Sequence, residues 1–120
     1  MKKVMILEDD PTTQSLLSTL LRFEGYEIVL PQDVSEQIIL DDITRLQPDL
    51  LLMDVHLRRV NGLVILEMIR ANSELDLMKV VITSGEDYSY ECSKLGANGF
   101  LMKPYMPDDL TQMIGCLINT

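Results

Sequence analysis

Apolar positions along the chain fall into two alternating patterns. Short continuous runs occur at KVMIL (3–7), EIVL (27–30), DLLLM (49–53), KVVIT (79–83) and GFLM (99–102). Their continuity, rather than a polar/apolar alternation, predicts strands covered on both faces. Between them the spacing turns helical. Leu16, Leu17, Leu20 and Leu21 form one stripe, with Thr12/Thr13 as candidate caps at its start and Gly25 closing it. Val34, Ile38, Ile39 and Ile43 form a second stripe, and Leu63, Leu66 and Ile69 a third. Leu110, Met113, Ile114, Leu117 and Ile118 repeat at three- and four-residue steps after Pro107-Asp108. The stretch from Asp87 to Leu95 carries only Tyr88, Cys92 and Leu95 on one face, which predicts a short, loose helix.

Five strand–helix repeats imply right-handed crossovers, hence a parallel sheet with helices on both faces. The expected fold class is therefore α/β, a three-layer doubly wound domain. One domain over residues 1–120 suits a chain of 120 residues with no repeat or linker. A net charge of −9 without a Lys/Arg cluster argues against direct nucleic acid binding and against an anionic membrane surface. No apolar run reaches spanning length, and MKKVMILEDD has too short an apolar core for a signal peptide. Cys92 and Cys116 lack metal-site or redox spacing and read as reduced core thiols, which points to a cytoplasmic protein. The eight methionines read as core filler.

In doubly wound sheets, ligands bind beyond the carboxyl ends of the strands. Glu8-Asp9-Asp10 follow the first strand here, Asp54 the third, Thr83-Ser84 the fourth and Lys103 the fifth. Asp54 stands out because it ends the run Leu50–Met53, and an ionised carboxylate is costly to bury without a partner. Two carboxylates about 5 Å apart repel by roughly 3 kcal/mol at an effective dielectric near 20. Lys103 supplies one positive charge. The remainder suits a hard cation such as Mg²⁺, which takes one or two carboxylates, keeps waters and completes its shell with phosphate oxygens. Each residue alone has an ordinary reading: Asp9 and Asp10 as helix caps in DDPTT, Ser84 as a cap, Lys103-Pro104 as a surface turn. Their coincidence at one sheet edge carries the functional reading.

The motifs LEDDP, PDLLLMDVHLRRVNGL, VVITSG and LGANGFLMKPY, in this order and spacing, resemble the receiver domains of two-component response regulators. The resemblance covers the whole chain. It implies a flavodoxin-like (βα)5 domain with a parallel five-stranded sheet of order 2-1-3-4-5. It makes Asp54 the phosphoacceptor, with Lys103 and Ser84 contacting the phosphoryl group and Ser84 and Phe100 as switch residues. Mg²⁺ would be held by Asp9, Asp10, Asp54 and the His56 backbone carbonyl. The Lys103-Pro104 bond is expected cis. The implied partners are a sensor histidine kinase or phosphotransfer protein, and an output domain or downstream protein. That partner reads the surface of the fourth helix, fifth strand and fifth helix. Such a chain catalyses only its own aspartyl phosphorylation and dephosphorylation, and is not an enzyme in the usual sense.

The sequence departs from that pattern at Arg58, where the family commonly has Pro, so HLRRVNG is locally basic. That pair reads as solvated or as attracting an acidic kinase surface or phosphate. His56 and Glu86 stand two residues after Asp54 and Ser84, where they bear on water access. Tyr88 and Tyr90 read as packing or partner-surface residues. The last helix, PDDLTQMIGCLINT, has no Lys or Arg, which leaves a phosphorylation-dependent dimer open. Three other functions fit less well. A haloacid-dehalogenase-type phosphatase needs an acid where His56 stands. The alternative, a phosphorylation-independent receiver-fold binding module, would be favoured by loss of an acid, the hydroxyl or the lysine, and none is lost. A nucleotide site lacks its Gly-rich loop after the first strand.

Overall fold

The computed structural model describes residues 1–32 and 35–119. Among the described residues, five strands and five α-helices alternate, with a 3-10 turn at Ser73–Leu75. They are β1 (Lys3–Leu7), α1 (Pro11–Phe23), β2 (Glu27–Val29), α2 (Glu36–Leu46), β3 (Leu50–Asp54), α3 (Gly62–Arg70), β4 (Lys79–Ser84), α4 (Ser89–Lys94), β5 (Gly99–Met102) and α5 (Pro107–Ile118). All strand pairs are parallel, in the order β2-β1-β3-β4-β5. This is the doubly wound α/β topology that the alternation of runs and stripes predicts.

Strand parity sorts the buried side chains into two cores. Val4, Ile6, Leu50, Leu52 and Val81 pack with Leu21, Leu110, Ile114 and Ile118 of α1 and α5. Met5, Leu7, Leu51, Met53, Val80 and Ile82 pack with Ile39, Ile43, Ile65, Leu66, Ile69 and Cys92 of α2, α3 and α4. Every residue of β3 is buried, so its run must be apolar throughout until the sheet edge. Asp54 and Ser84 are the last residues of their strands, one position beyond the runs that announced them.

Several sequence expectations change. Thr12 and Thr13 lie inside α1; Asp10 is the N-cap, with Pro11 at the first helical position, where a missing N–H costs nothing. Leu16 is 66% exposed because the apolar face of α1 narrows to Leu17, Leu20 and Leu21. Cys92 is buried, but Cys116 is exposed and is no core thiol. Val34 of the second stripe lies outside the described residues. α4 is only six residues long and its N-cap, Tyr88, makes no side-chain cap bond. Its shortness is as expected, and Asp87 accepts the N–H and hydroxyl of Ser89, its first residue. Among the described residues no helix is long and apolar enough to cross a membrane.

Candidate functional site

The carboxyl edge of the sheet brings together Asp54 at the end of β3, Lys103 just after β5 and Glu8 just after β1. Lys103 Nζ donates to Asp54 Oδ2 at 2.5 Å and lies 3.9 Å from Glu8 Oε1. Parity explains the convergence: Glu8 continues the face of Val4 and Ile6, Asp54 that of Leu50 and Leu52, and Lys103 that of Leu101. The other oxygen of Asp54, Oδ1, accepts the His56 N–H at 2.9 Å. Both carboxylate oxygens of a nearly buried acid are thereby satisfied.

Charge remains out of balance. Burial raises the Glu8 carboxyl from 4.5 to about 7, with Lys103 opposing and Asp54 adding to the rise. For Lys103, burial lowers the ammonium, but the Asp54 hydrogen bond and the Asp54 and Glu8 charges outweigh it, and the net shift is upward. A further positive charge would relieve Glu8. Tyr105, two residues past Lys103, lies in the same field; burial raises its hydroxyl, and Lys103 works against that.

The acids after β1 take three different roles. Asp9 Oδ2 accepts the backbone N–H of Arg58, which fastens the β3–α3 loop to the acidic corner. Asp10 Oδ2 accepts the Thr13 N–H at 2.9 Å and the Thr13 hydroxyl at 2.6 Å. Those two bonds hold the Asp10 carboxyl below its usual range. The expected pairing of Asp9 with Asp10 against Asp54 is therefore not what the fold builds. Asp10 is engaged as a helix cap, and Glu8 stands beside Asp54 instead. A run of three acids conceals this choice; Pro11, which favours the first helical position and makes its predecessor the cap, is the signal that reveals it.

The loop from β3 to α3 is closely fitted. Gly62 donates its N–H to the Val55 carbonyl at 2.8 Å, and a Cβ at Gly62 would lie 2.5 Å from the Asp54 carbonyl oxygen. Asn61 caps α3 by accepting the Leu63 N–H at 2.8 Å. Across the cleft, Ser84 is fully buried and its hydroxyl accepts the Glu86 N–H at 3.1 Å. The Ser84 carbonyl accepts the Lys103 N–H at 2.8 Å, joining the β4 and β5 ends. Phe100 pairs with Ile82 in register and packs, partly buried, against the α2/α3/α4 core. The Lys103–Pro104 peptide is cis. The His56 ring lies 3.4 Å from Glu86 Oε1 and edge-on to Tyr88, with ring centroids 5.7 Å apart. Glu86, His56 and Tyr88 thus form one cluster bridging the two loops.

Among the described residues no three His, Cys, Asp or Glu side chains form a ready-made metal cage. The donors at hand are all oxygens, among them a Glu8 carboxyl that burial lifts to about 7. That set fits a hard cation that keeps most of its waters and does not fit a thiolate- or imidazole-bound metal.

The sequence profile of the response regulator receiver domain matches residues 4–115. The chain belongs to that family. The receiver is 30% identical over 115 residues to the DNA-binding response regulator MtrA of Mycolicibacterium smegmatis, covering 94% of this chain and 49% of MtrA. It is 29% identical to the transcriptional regulatory protein CpxR of Escherichia coli K12, covering 99% of this chain and 50% of CpxR. The receiver thus spans about half the length of these relatives. A putative response regulator from Chloroflexus aurantiacus superposes with a TM-score of 0.88 at 26% identity, over 99% of this chain and 98% of the other. The receiver domain of the Pseudomonas aeruginosa sensor histidine kinase PA1611, with a magnesium ion coordinated in its active-site cleft, superposes with a TM-score of 0.84. It is 23% identical, over 99% of this chain and 98% of that one. The family and fold give the receiver a phosphorylation-based signalling role.

Proposed function

We infer that the receiver accepts a phosphoryl group on Asp54 from a histidine kinase or phosphotransfer protein and changes its α4-β5-α5 surface in response. The observation that carries this reading is the Lys103–Asp54 contact at a sheet edge that also gathers Glu8 and Asp9.

Asp54 acts as nucleophile. One of its carboxylate oxygens attacks the phosphorus in line; the bond from phosphorus to the donor atom breaks, and the donor keeps the electron pair. The His56 N–H holds Asp54 Oδ1, which fixes the rotamer and leaves the Lys103-bound edge to face the incoming group. Lys103 neutralises the nucleophile before transfer and the phosphoryl oxygens after it, so positioning and electrostatics supply most of the rate. Asp9, Asp54 and the His56 carbonyl would hold Mg²⁺, with Glu8 close by; Asp10 stays on its helix. When bound, the ion supplies the positive charge that Lys103 alone cannot. Its presence in the PA1611 receiver supports this choice of metal.

Ser84 is the second phosphoryl contact. Its hydroxyl must leave the Glu86 N–H to reach the new group, which draws on the β4–α4 turn. Phe100 shares the sheet face of Ser84 by register and parity, and packs against the same core as Tyr88 and Leu95. With α4 only six residues long, two arrangements of this face can lie close in energy, and the phosphoryl group selects one.

The test is a two-dimensional amide spectrum with acetyl phosphate and Mg²⁺. Shifts at Ser84, Phe100 and through α4, absent in Asp54→Asn, support the reading. A spectrum unchanged under these conditions would leave the fold acting as a phosphorylation-independent module.

A further inference from the structure

The β3–α3 loop presents two cations that the transfer chemistry above does not use. Arg58 and Arg59 are exposed between two buried anchors, Leu57 and Val60, each 8% accessible. Both flanks of the loop are fastened at the phosphoacceptor. The Arg58 N–H binds Asp9, and Gly62 packs against the Asp54 carbonyl. The guanidinium groups therefore project from a segment whose position relative to Asp54 is fixed, rather than from a free loop.

Their charge is uncommitted. The chain carries 19 acidic side chains against 10 Lys and Arg. Even so, among the described residues neither guanidinium lies within ion-pair distance of a carboxylate. Arg58 nevertheless starts from the acidic corner, where Asp9 holds its backbone N–H. A net charge of −9 repels an approaching phosphate dianion, and Lys103 is already bound to Asp54. Arginine forks match phosphate oxygens in pairs, and two of them at a cleft mouth offset part of that repulsion.

We propose that Arg58 and Arg59 form an anion-capture site at the mouth of the Asp54 cleft, where they hold the phosphate group of the donor before transfer. The inference rests on the phosphoacceptor reading for its purpose, but the site itself is a property of the two side chains. It serves a small acyl phosphate and a protein phosphohistidine alike, because both present the same phosphate.

Two measurements test it together. In the first, inorganic phosphate is titrated into the metal-free protein and into Asp54→Asn, following the Arg58 and Arg59 side-chain Nε–H resonances. Both resonances shift on one isotherm in both proteins, and chloride at equal ionic strength does not reproduce the shift. In the second, the rate of adduct formation is measured against acetyl phosphate concentration for wild type and Arg58→Gln/Arg59→Gln. These glutamines keep the backbone N–H on Asp9. The half-saturating concentration rises about fivefold in the variant while the plateau rate holds, and high salt erases the difference. Running the second measurement with a phosphorylated phosphotransfer protein shows whether capture extends to the protein donor; a rise confined to acetyl phosphate limits the site to small donors and overturns the wider claim. Phosphate shifts no larger than those of chloride, or an unchanged half-saturation, overturn the proposal. Arginine shifts with phosphate in a protein that never gains an adduct would retain the capture site and remove the phosphoacceptor reading instead.

Discussion

Lys103 and Asp54, 49 positions apart, meet at 2.5 Å because β3 and β5 both end at the same sheet edge. The pair is only partly shielded, with side-chain exposures of 33% and 11%, so its net worth is modest, but losing one partner is not symmetrical with losing both. Lys103→Met is expected to lower stability by about 1–3 kcal/mol in metal-free buffer. In Asp54→Asn the same change costs much less, leaving a coupling of about 1–2 kcal/mol. Urea unfolding of the four proteins measures it.

Glu8 sets a pH dependence with a definite sign. Its folded-state value of about 7 lies above its ordinary 4.5, so the folded chain holds this proton more tightly than the unfolded chain. The resulting stabilisation is complete below about 4.5 and is lost as the pH rises through about 7. The urea midpoint of the metal-free receiver should therefore fall across this window. Glu8→Gln should flatten the fall and be the more stable protein at the alkaline end. A midpoint as steep in Glu8→Gln as in wild type would assign the proton elsewhere.

The acids after β1 separate by function. Asp10→Ala removes an N-cap and should cost about 1 kcal/mol of stability, with Asp10→Asn recovering most of it. Mg²⁺ affinity, read by titration, should change little in either. Asp9→Ala should weaken Mg²⁺ strongly. Arg58→Ala, which keeps the N–H that Asp9 accepts, should leave Mg²⁺ affinity unchanged.

Two glycines make opposite predictions. Alanine at Gly62 would place its Cβ 2.5 Å from the Asp54 carbonyl oxygen, so the β3–α3 loop must move. A loss of about 2 kcal/mol or more is expected. Alanine at Gly115, inside α5 with no atom within 4 Å of the added carbon, should stabilise by about 0.5–1 kcal/mol. Thermal unfolding of both variants checks the contrast.

The fold was legible because each strand is buried on both faces, and unbroken apolar runs are what that burial demands. Asp54, Ser84 and Lys103 were legible because they interrupt or end those runs. Glu8 was not, since composition cannot tell which of three consecutive acids follows the strand parity of Ile6 and which turns away to cap a helix. Leu16 lies on a stripe of helical period, whereas Cys116 lies off the stripe of Leu110, Met113, Ile114, Leu117 and Ile118 and reads as buried only from cysteine usage. Burial at Leu16 depends on how far the neighbouring helix extends, and periodicity alone does not carry that information. The His56–Glu86–Tyr88 cluster joins two loops, and no local pattern signals such a meeting.

The most direct measurement is intact mass after incubation with acetyl phosphate, with and without Mg²⁺, for wild type and Asp54→Asn. A gain of one phosphoryl group in wild type, dependent on Mg²⁺ and absent from the variant, is the predicted result. An equal gain in Asp54→Asn, or no gain in wild type under either condition, would contradict Asp54 as the phosphoacceptor.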